Sequence, residues 1–283
     1  MKVILSRKGL DSTYCDIANL CINNTELVML PIMSKNNTAT YRDLSLCENP
    51  TTSNVVEQIF NHSKTINTDT HCHVDPNLIN FYNVDSFLGS LGQVNSSQAH
   101  LLNQGVSVGD IFIFFGLFKD CNTSQSEVKV FKSKSKHIIF GYLQIGEIVY
   151  PNSLSNKERH DYESRYPWLK LHPHWNNEIE DFSNDKNNCI YIARETCTFD
   201  NSIKGYGTFN FDKDLVLTKF GERPPTHWEL PKELQDLKLS YHNENSQKKD
   251  YFQSALRGQE FVIEECSQAE QWAIELIKRY AKR

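Results

Sequence analysis

The sequence predicts an α+β fold in one domain spanning residues 1–283, with a curved, barrel-like sheet and a C-terminal amphipathic helix, and three observations carry that prediction. Two long β-rich apolar runs, Gly105–Gly116 and His137–Tyr150, are separated by a polar, lysine-rich stretch. Ser267–Lys282 spaces its apolar residues at helical period. No repeat, low-complexity tract or linker divides the chain, and 39% hydrophobic and 11% aromatic residues suffice for an ordinary core.

In chain order, Val3–Leu5 reads as a first strand and Glu26–Ile32 as a second, neighbouring strand, with Asn23-Asn24 as the turn before it. Residues 34–55 are rich in Asn, Thr and Ser and read as loop, with a short helix near 55–62. Asp75-Pro76 favours a turn or helix start, because proline fixes φ at a first helical position. Ser97–Asn103 gives one or two helical turns. The two apolar runs form a hairpin whose loop is 119–136. Cys189–Ala193, Leu215–Leu217, Lys238–Tyr241 and Glu260–Ile263 are further short strands. In the last segment Ala269, Trp272, Ala273, Leu276, Ile277 and Tyr280 line one face, with Glu270 near the start and Lys278-Arg279 at the end to suit the helix dipole.

Composition narrows the function. The longest apolar run is interrupted by Gly109-Asp110 and is too short for a membrane span, and the first ten residues lack the apolar stretch of an export signal. Eight cysteines without a C-x-x-C pair argue against a zinc ribbon or a disulfide scaffold and for reduced thiols in a cytoplasm. A formal charge of −5 offers no global basic field, so contact with DNA or RNA would use a local patch such as Lys129–Lys136. There is no phosphate loop, no dinucleotide glycine motif and no serine-hydrolase elbow.

Several clusters can carry chemistry. Gly141 and Gly146 would let the returning apolar strand bulge and curve. The pattern is similar to the strand pair of PUA-like barrels, which cradle a base or modified nucleoside. His71-x-His73-x-Asp75 and His172-x-His174 offer imidazole and carboxylate groups at alternate positions, but Pro76 and Pro173 disturb the strand geometry a metal site would need, so no metal is assigned. Arg7-Lys8 after the first strand and Arg257–Glu260 before the last each put cations beside a carboxylate. A guanidinium can hold phosphate, and a carboxylate can accept from ribose or stabilise an oxocarbenium-like centre; a structural Arg-Glu pair is the equal alternative.

Ser6–Ser12, His73–Leu78, Leu91–Gln93, Ala99–Leu101, Gly109–Gly116, Ile139–Gly146, His172–His174, Trp228–Pro231, Ser240–His242 and Arg257–Val262 together resemble, in order, the third nucleotide-modification-associated domain family. The resemblance implies a part in making or handling modified nucleotides or nucleic-acid bases, often in phage or mobile-element settings. It implies site candidates at the matching positions. Glu260, Asp11, His73 and His100 are the catalytic candidates. Arg7, Lys8, Ser12, Asp75, Gln93, His172, His174, Trp228, His242, Arg257 and Gln259 are the nucleotide-binding ones. Arg7 and Lys8 would grip phosphate, His73 or His100 would move a proton, and Trp228 would stack a base.

The expectation is therefore a cytoplasmic enzyme of nucleotide or base modification with a pocket for one nucleotide and no cofactor named. The alternatives are a non-catalytic reader of a modified base and chemistry at ribose C1′, either glycosidic cleavage or ADP-ribosyl transfer. A metal-dependent nuclease using the histidines is a further reading.

Overall fold

The computed structural model describes residues 1–11, 16–35, 39–44, 56–61, 63–81, 83–124, 127–130, 135–221, 224–255 and 260–282. A mixed sheet organises the chain. Its strands follow the order Glu260–Val262, Val3–Arg7, Ile111–Ser124, Lys136–Val149, Cys189–Ala193 and Ser90–Gln93, and it curls into half a barrel. Val3–Arg7 runs parallel to Ile111–Ser124 and antiparallel to Glu260–Val262, which sets Ser6 opposite Glu260.

Curvature comes from bulges at two glycines. Phe114 pairs with Gly141 while Phe115 pairs with Ile139, and Ile192 pairs with Glu147 while Ala193 pairs with Ile145, skipping Gly146. A Cβ at Gly141 would lie 2.7 Å from the Gly207 carbonyl oxygen, and one at Gly146 would lie 2.9 Å from the Arg194 nitrogen. Only glycine lets the backbones come that close while the strand bends.

Side chains alternate across the sheet as the strand period requires. Tyr191 joins Ile4, Phe112, Phe114 and Leu143 in the main core, whereas Ile190 and Ile192 pack on the other face with Trp168 and Trp175. A third cluster, including Leu10, Leu30, Phe60 and Phe81, joins residues of the first third of the chain to Cys121. The C-terminal helix is Ser267–Tyr280, with Ala269, Trp272, Ala273, Leu276 and Ile277 buried and Cys266 Sγ accepting from Ala269 N at its cap.

Several elements differ from expectation. Val3–Arg7 is not the neighbour of Glu26–Val28; the latter pairs with Asn19–Ile22 across Asn23-Asn24, whose φ values of 51° and 52° suit a tight hairpin turn. Ile32–Met33 separates from it and pairs with Cys72–His73. The long hairpin does not end at 118: its first arm continues to Ser124 and Glu127–Val130 returns beside it, because ladder hydrogen bonds need no apolar side chains. No helix starts at Asp75-Pro76; Asn77 instead bridges to Ser90. Leu215–Leu217 and Lys238–Tyr241 are not strands, and contribute the isolated bridges Val216–Ile138 and Leu239–Ile263. The helix Asn156–Arg165 buries no residue, so it carried no apolar period, although its Ser155 and Glu158 capping box was written in the sequence. The helix at 95–103 and helical residues 56–61 match expectation.

Cys21, Cys72, Cys121, Cys189, Cys197 and Cys266 are free thiols, and burial pushes Cys72 up to about 12. Among the described residues no helix is long and apolar enough to cross a membrane.

His137 is 2% exposed, and its Nδ1 accepts from Trp228 Nε1 at 2.9 Å. Burial, with the Arg7 charge adding to it, pushes its pKa from 6.5 down to about 3. Between those values the unfolded chain binds a proton that the native chain does not, so this contribution to stability is complete above the unfolded value and is lost as pH falls through the window. His137→Gln keeps an acceptor for Trp228 and loses the titration. Chemical denaturation from about pH 4 to about pH 6 should show a stability slope shallower than that of the natural chain by up to about 1.4 kcal/mol per pH unit.

Candidate functional site

The first strand leads directly into the site. Ser6 is fully buried beside Glu260 in register, Lys8 N donates to the Phe115 carbonyl, and Gly9 at φ 83° turns the chain away. Arg7 donates to Asp11 Oδ2 at 2.7 Å, one helical-type step along the turn.

Glu260 holds this corner together. It is 1% exposed, and its Oε1 accepts from Lys8 Nζ at 2.8 Å and from Gln93 Nε2 at 2.5 Å. Gln93 ends the strand at one edge of the curled sheet, and Glu260 starts the strand at the other. One carboxylate oxygen therefore ties both edges. Its second oxygen, Oε2, is buried and has no partner among the described residues.

Behind Gln93 stands a group of histidines and carboxylates. Asp75 is 8% exposed, and its Oδ1 accepts from Gly92 N at 2.6 Å. Burial raises its pKa to about 6 despite the nearby His73 and Lys8 charges. A Cβ at Gly92 would overlap the His174 ring, so glycine is what lets that ring sit against the strand. His73 follows from the short Cys72–His73 strand, and its Nδ1 pairs with Glu180 Oε2 at 2.5 Å. His174 Nδ1 pairs with Asn188 Oδ1 at 3.0 Å, and its ring stacks on Phe182. Burial holds His172 down at about 3 and His174 well below the usual imidazole range.

These groups line a cleft of about 290 Å³ bounded by Arg7, Lys8, His73, Gln93, Glu180 and Phe182, with Ile32 and Met33 at its apolar side. His73, Asp75 and His174 each offer a ligand atom, all within 4.8 Å of one another, so this trio is the place where a cation could be held. A wider hollow of about 650 Å³ over Pro151, Arg159 and Lys170 contains none of the predicted site residues.

Six of the sequence-predicted residues line the cleft itself: Arg7, Lys8, Asp75, Gln93, His73 and His174. Asp11 backs Arg7, Glu260 backs Lys8 and Gln93, and His172 lies behind Asp75 with its Nε2 3.9 Å from Asp75 Oδ1. The others lie elsewhere. Trp228 is fully buried among Phe115, Phe252 and Phe261, with no face open to a base. His100 bonds Ser240 Oγ at 2.9 Å on the flank of the Glu260 strand. His242 bonds the Ser240 carbonyl and lines a separate hollow with His227 and Tyr241. Ser12, Arg257 and Gln259 lie outside the described residues, as do residues 131–134 of the Lys129–Lys136 patch. Sequence reasoning missed Gly92, Glu180, Phe182 and Asn188. Gly92 falls inside the quoted Leu91–Gln93 segment, but Glu180 and Phe182 sit in an acidic polar stretch without a local pattern.

The sequence model of nucleotide modification associated domain 3 matches residues 2–264, and so covers every element that builds the cleft. The chain belongs to this family. No curated protein and no solved structure matches it. The family connects the protein to nucleotide modification, and four of the segments on which the resemblance rests, at 6–12, 73–78, 91–93 and 172–174, contribute to this one cleft.

Lys8→Met would leave Glu260 buried with its charge uncompensated, and should destabilise the protein by about 3–5 kcal/mol in a denaturant titration. Lys8→Met with Glu260→Met, which removes both charges, should recover most of that loss.

Proposed function

We propose that the protein is an enzyme that modifies a nucleotide or nucleic-acid base, and that the cleft at Arg7, Lys8, Gln93 and Phe182 takes one nucleotide unit. The observation that supports this most is the convergence of family segments from four distant parts of the chain on a single cleft. Its volume, about 290 Å³, is at the small end for ligand sites and suits one nucleoside or nucleotide. A duplex face is a poor match for a chain of net charge −5.

The roles follow from chemistry. Arg7 and Lys8 are the cations at one wall, and would receive a phosphate. Gln93 is gripped at its amide nitrogen by Glu260, so its carbonyl oxygen is presented as an acceptor for a base edge. Phe182, already stacked on His174, offers the ring that the buried Trp228 does not. Glu260 is a positioning residue in this reading: it sets Lys8 and Gln93. The reacting end is the His73, Asp75 and His174 group. A buried carboxylate with a strongly displaced pKa, beside a histidine oriented by a second carboxylate, is what chemistry requires and what simple retention of a base does not.

The test is a thermal-shift and mass-spectrometric screen of the purified chain against nucleoside monophosphates, nucleosides and modified bases. A ligand should raise the melting temperature by mass action, Arg7→Ala should weaken its binding by about tenfold, and the ligand should be recovered chemically changed. Stabilisation with the ligand recovered intact would favour the non-catalytic reader. No response to any nucleotide, or an identical response in Arg7→Ala, would contradict the proposal.

A further inference from the structure

We propose that His73, Asp75 and His174 form a binding site for one divalent first-row transition-metal ion, with Glu180, Asn188 and His172 holding the three ligands from behind. The sequence alone assigned no metal here, since the prolines at 76 and 173 break strand alternation. The fold supplies what the local spacing does not, because His174 arrives from a distant segment beside His73 and Asp75, and the three place their ligand atoms within 4.8 Å of one another.

The hydrogen bonds around the trio fix which ring nitrogens are available. Asn188 Nδ2 donates to the His174 carbonyl at 2.8 Å, so Asn188 Oδ1 is the acceptor and His174 Nδ1 the donor in their 3.0 Å contact. The proton of His174 therefore sits on Nδ1, and its Nε2 keeps a lone pair. His73 Nδ1 meets the Glu180 carboxylate at 2.5 Å, which again places a proton on Nδ1 and leaves Nε2 as the donor atom for an ion. Imidazoles that ligate metals are oriented in this way, by a carboxylate or carbonyl on the opposite ring nitrogen.

Asp75 is anchored in the same manner. Gly92 N holds its Oδ1 at 2.6 Å. His172 supplies a second, independent sign. Its Nδ1 accepts from His174 N at 3.1 Å, so its proton lies on Nε2. That Nε2 is buried, has no partner among the described residues, and lies 3.9 Å from Asp75 Oδ1, too far for a hydrogen bond. The side chain of His172 is 1% exposed, so bulk solvent does not reach this donor. A carboxylate drawn into position on an ion is the natural acceptor for it.

Two imidazoles and one carboxylate suit zinc, iron, cobalt or manganese better than calcium or magnesium, whose ligands are oxygens. Metal–ligand bonds of about 2.0–2.2 Å require the trio to draw in by roughly an ångström. Because all three residues line the cleft, the remaining coordination positions open toward the ligand space, as in catalytic rather than structural metal sites. The inference does not depend on the nucleotide reading.

The full chain, stripped with chelator and desalted, is titrated with Co²⁺ and with Zn²⁺ and followed by calorimetry, melting temperature and the visible spectrum of the cobalt form. One equivalent should bind, melting should rise, and cobalt should show ligand-field bands of a nitrogen–oxygen site. Asp75→Asn, which keeps an oxygen for Gly92 N, should weaken binding by at least about 100-fold, and Glu180→Gln by about tenfold. His160→Ala, on the exposed face of the Asn156–Arg165 helix, should bind as the natural chain does. Glu180→Gln serves as the second variant if Asp75→Asn does not fold, since Glu180 lies at the partly exposed rim. No binding at about 100 µM metal, or equal binding in the Asp75 and Glu180 variants, would overturn the site. Titration without nucleotide keeps this outcome separate from that of the Arg7 experiment.

Discussion

A single buried carboxylate, Glu260, is the constraint on which the rest of the site depends. A half-barrel has two free edges, and open edges with unpaired backbone groups are a hazard that proteins cover or close. Here the edges approach each other, and Glu260 bridges them by accepting from Lys8, just past the end of the adjacent strand, and from Gln93 on the far one. A carboxylate this deep is tolerated only because two donors reach it. The arrangement fixes the distance between the first strand and the strand at 90–93, and that distance is the width of the cleft.

From this closure the other features follow in sequence. The bulges at Gly141 and Gly146 bend the central strand far enough for the edges to meet. With the edges tied, Gly92 lies opposite Ile190 on the face away from the main core, and its missing side chain admits the His174 ring while its N–H holds Asp75. The segment 172–188 then lays Phe182, Glu180 and Asn188 against the two histidines. The cleft is thus built by sheet geometry first and by polar side chains second. Its polar groups are held by hydrogen bonds to other protein groups, which is the condition for a site that keeps its shape before a ligand arrives.

What could be read from the sequence was whatever carried its own period or local chemistry. The two apolar runs, the glycines that bend them and the C-terminal helix were legible because burial repeats along the chain. The first strand and its Arg7-Lys8 end were legible too, although its neighbours were not: parallel pairing with 111–124 and antiparallel pairing with 260–262 are long-range facts with no local signature. Trp228 shows the opposite limit. An aromatic residue in a family motif suggested a stacking platform, while its indole N–H is satisfied by His137 inside the core. Glu180 and Asn188 were invisible because their importance lies in the imidazole nitrogens they meet across the fold, not in their own surroundings.

Whether Glu260 couples the two sheet edges is measured directly by amide hydrogen exchange of the natural chain beside Glu260→Gln. Loss of the charge should speed exchange at 260–262, at 7–9 and at 91–93 together, while the central strands at 111–118 and 138–145 keep their protection. Faster exchange confined to 260–262, with the strand at 91–93 unchanged, would contradict the account.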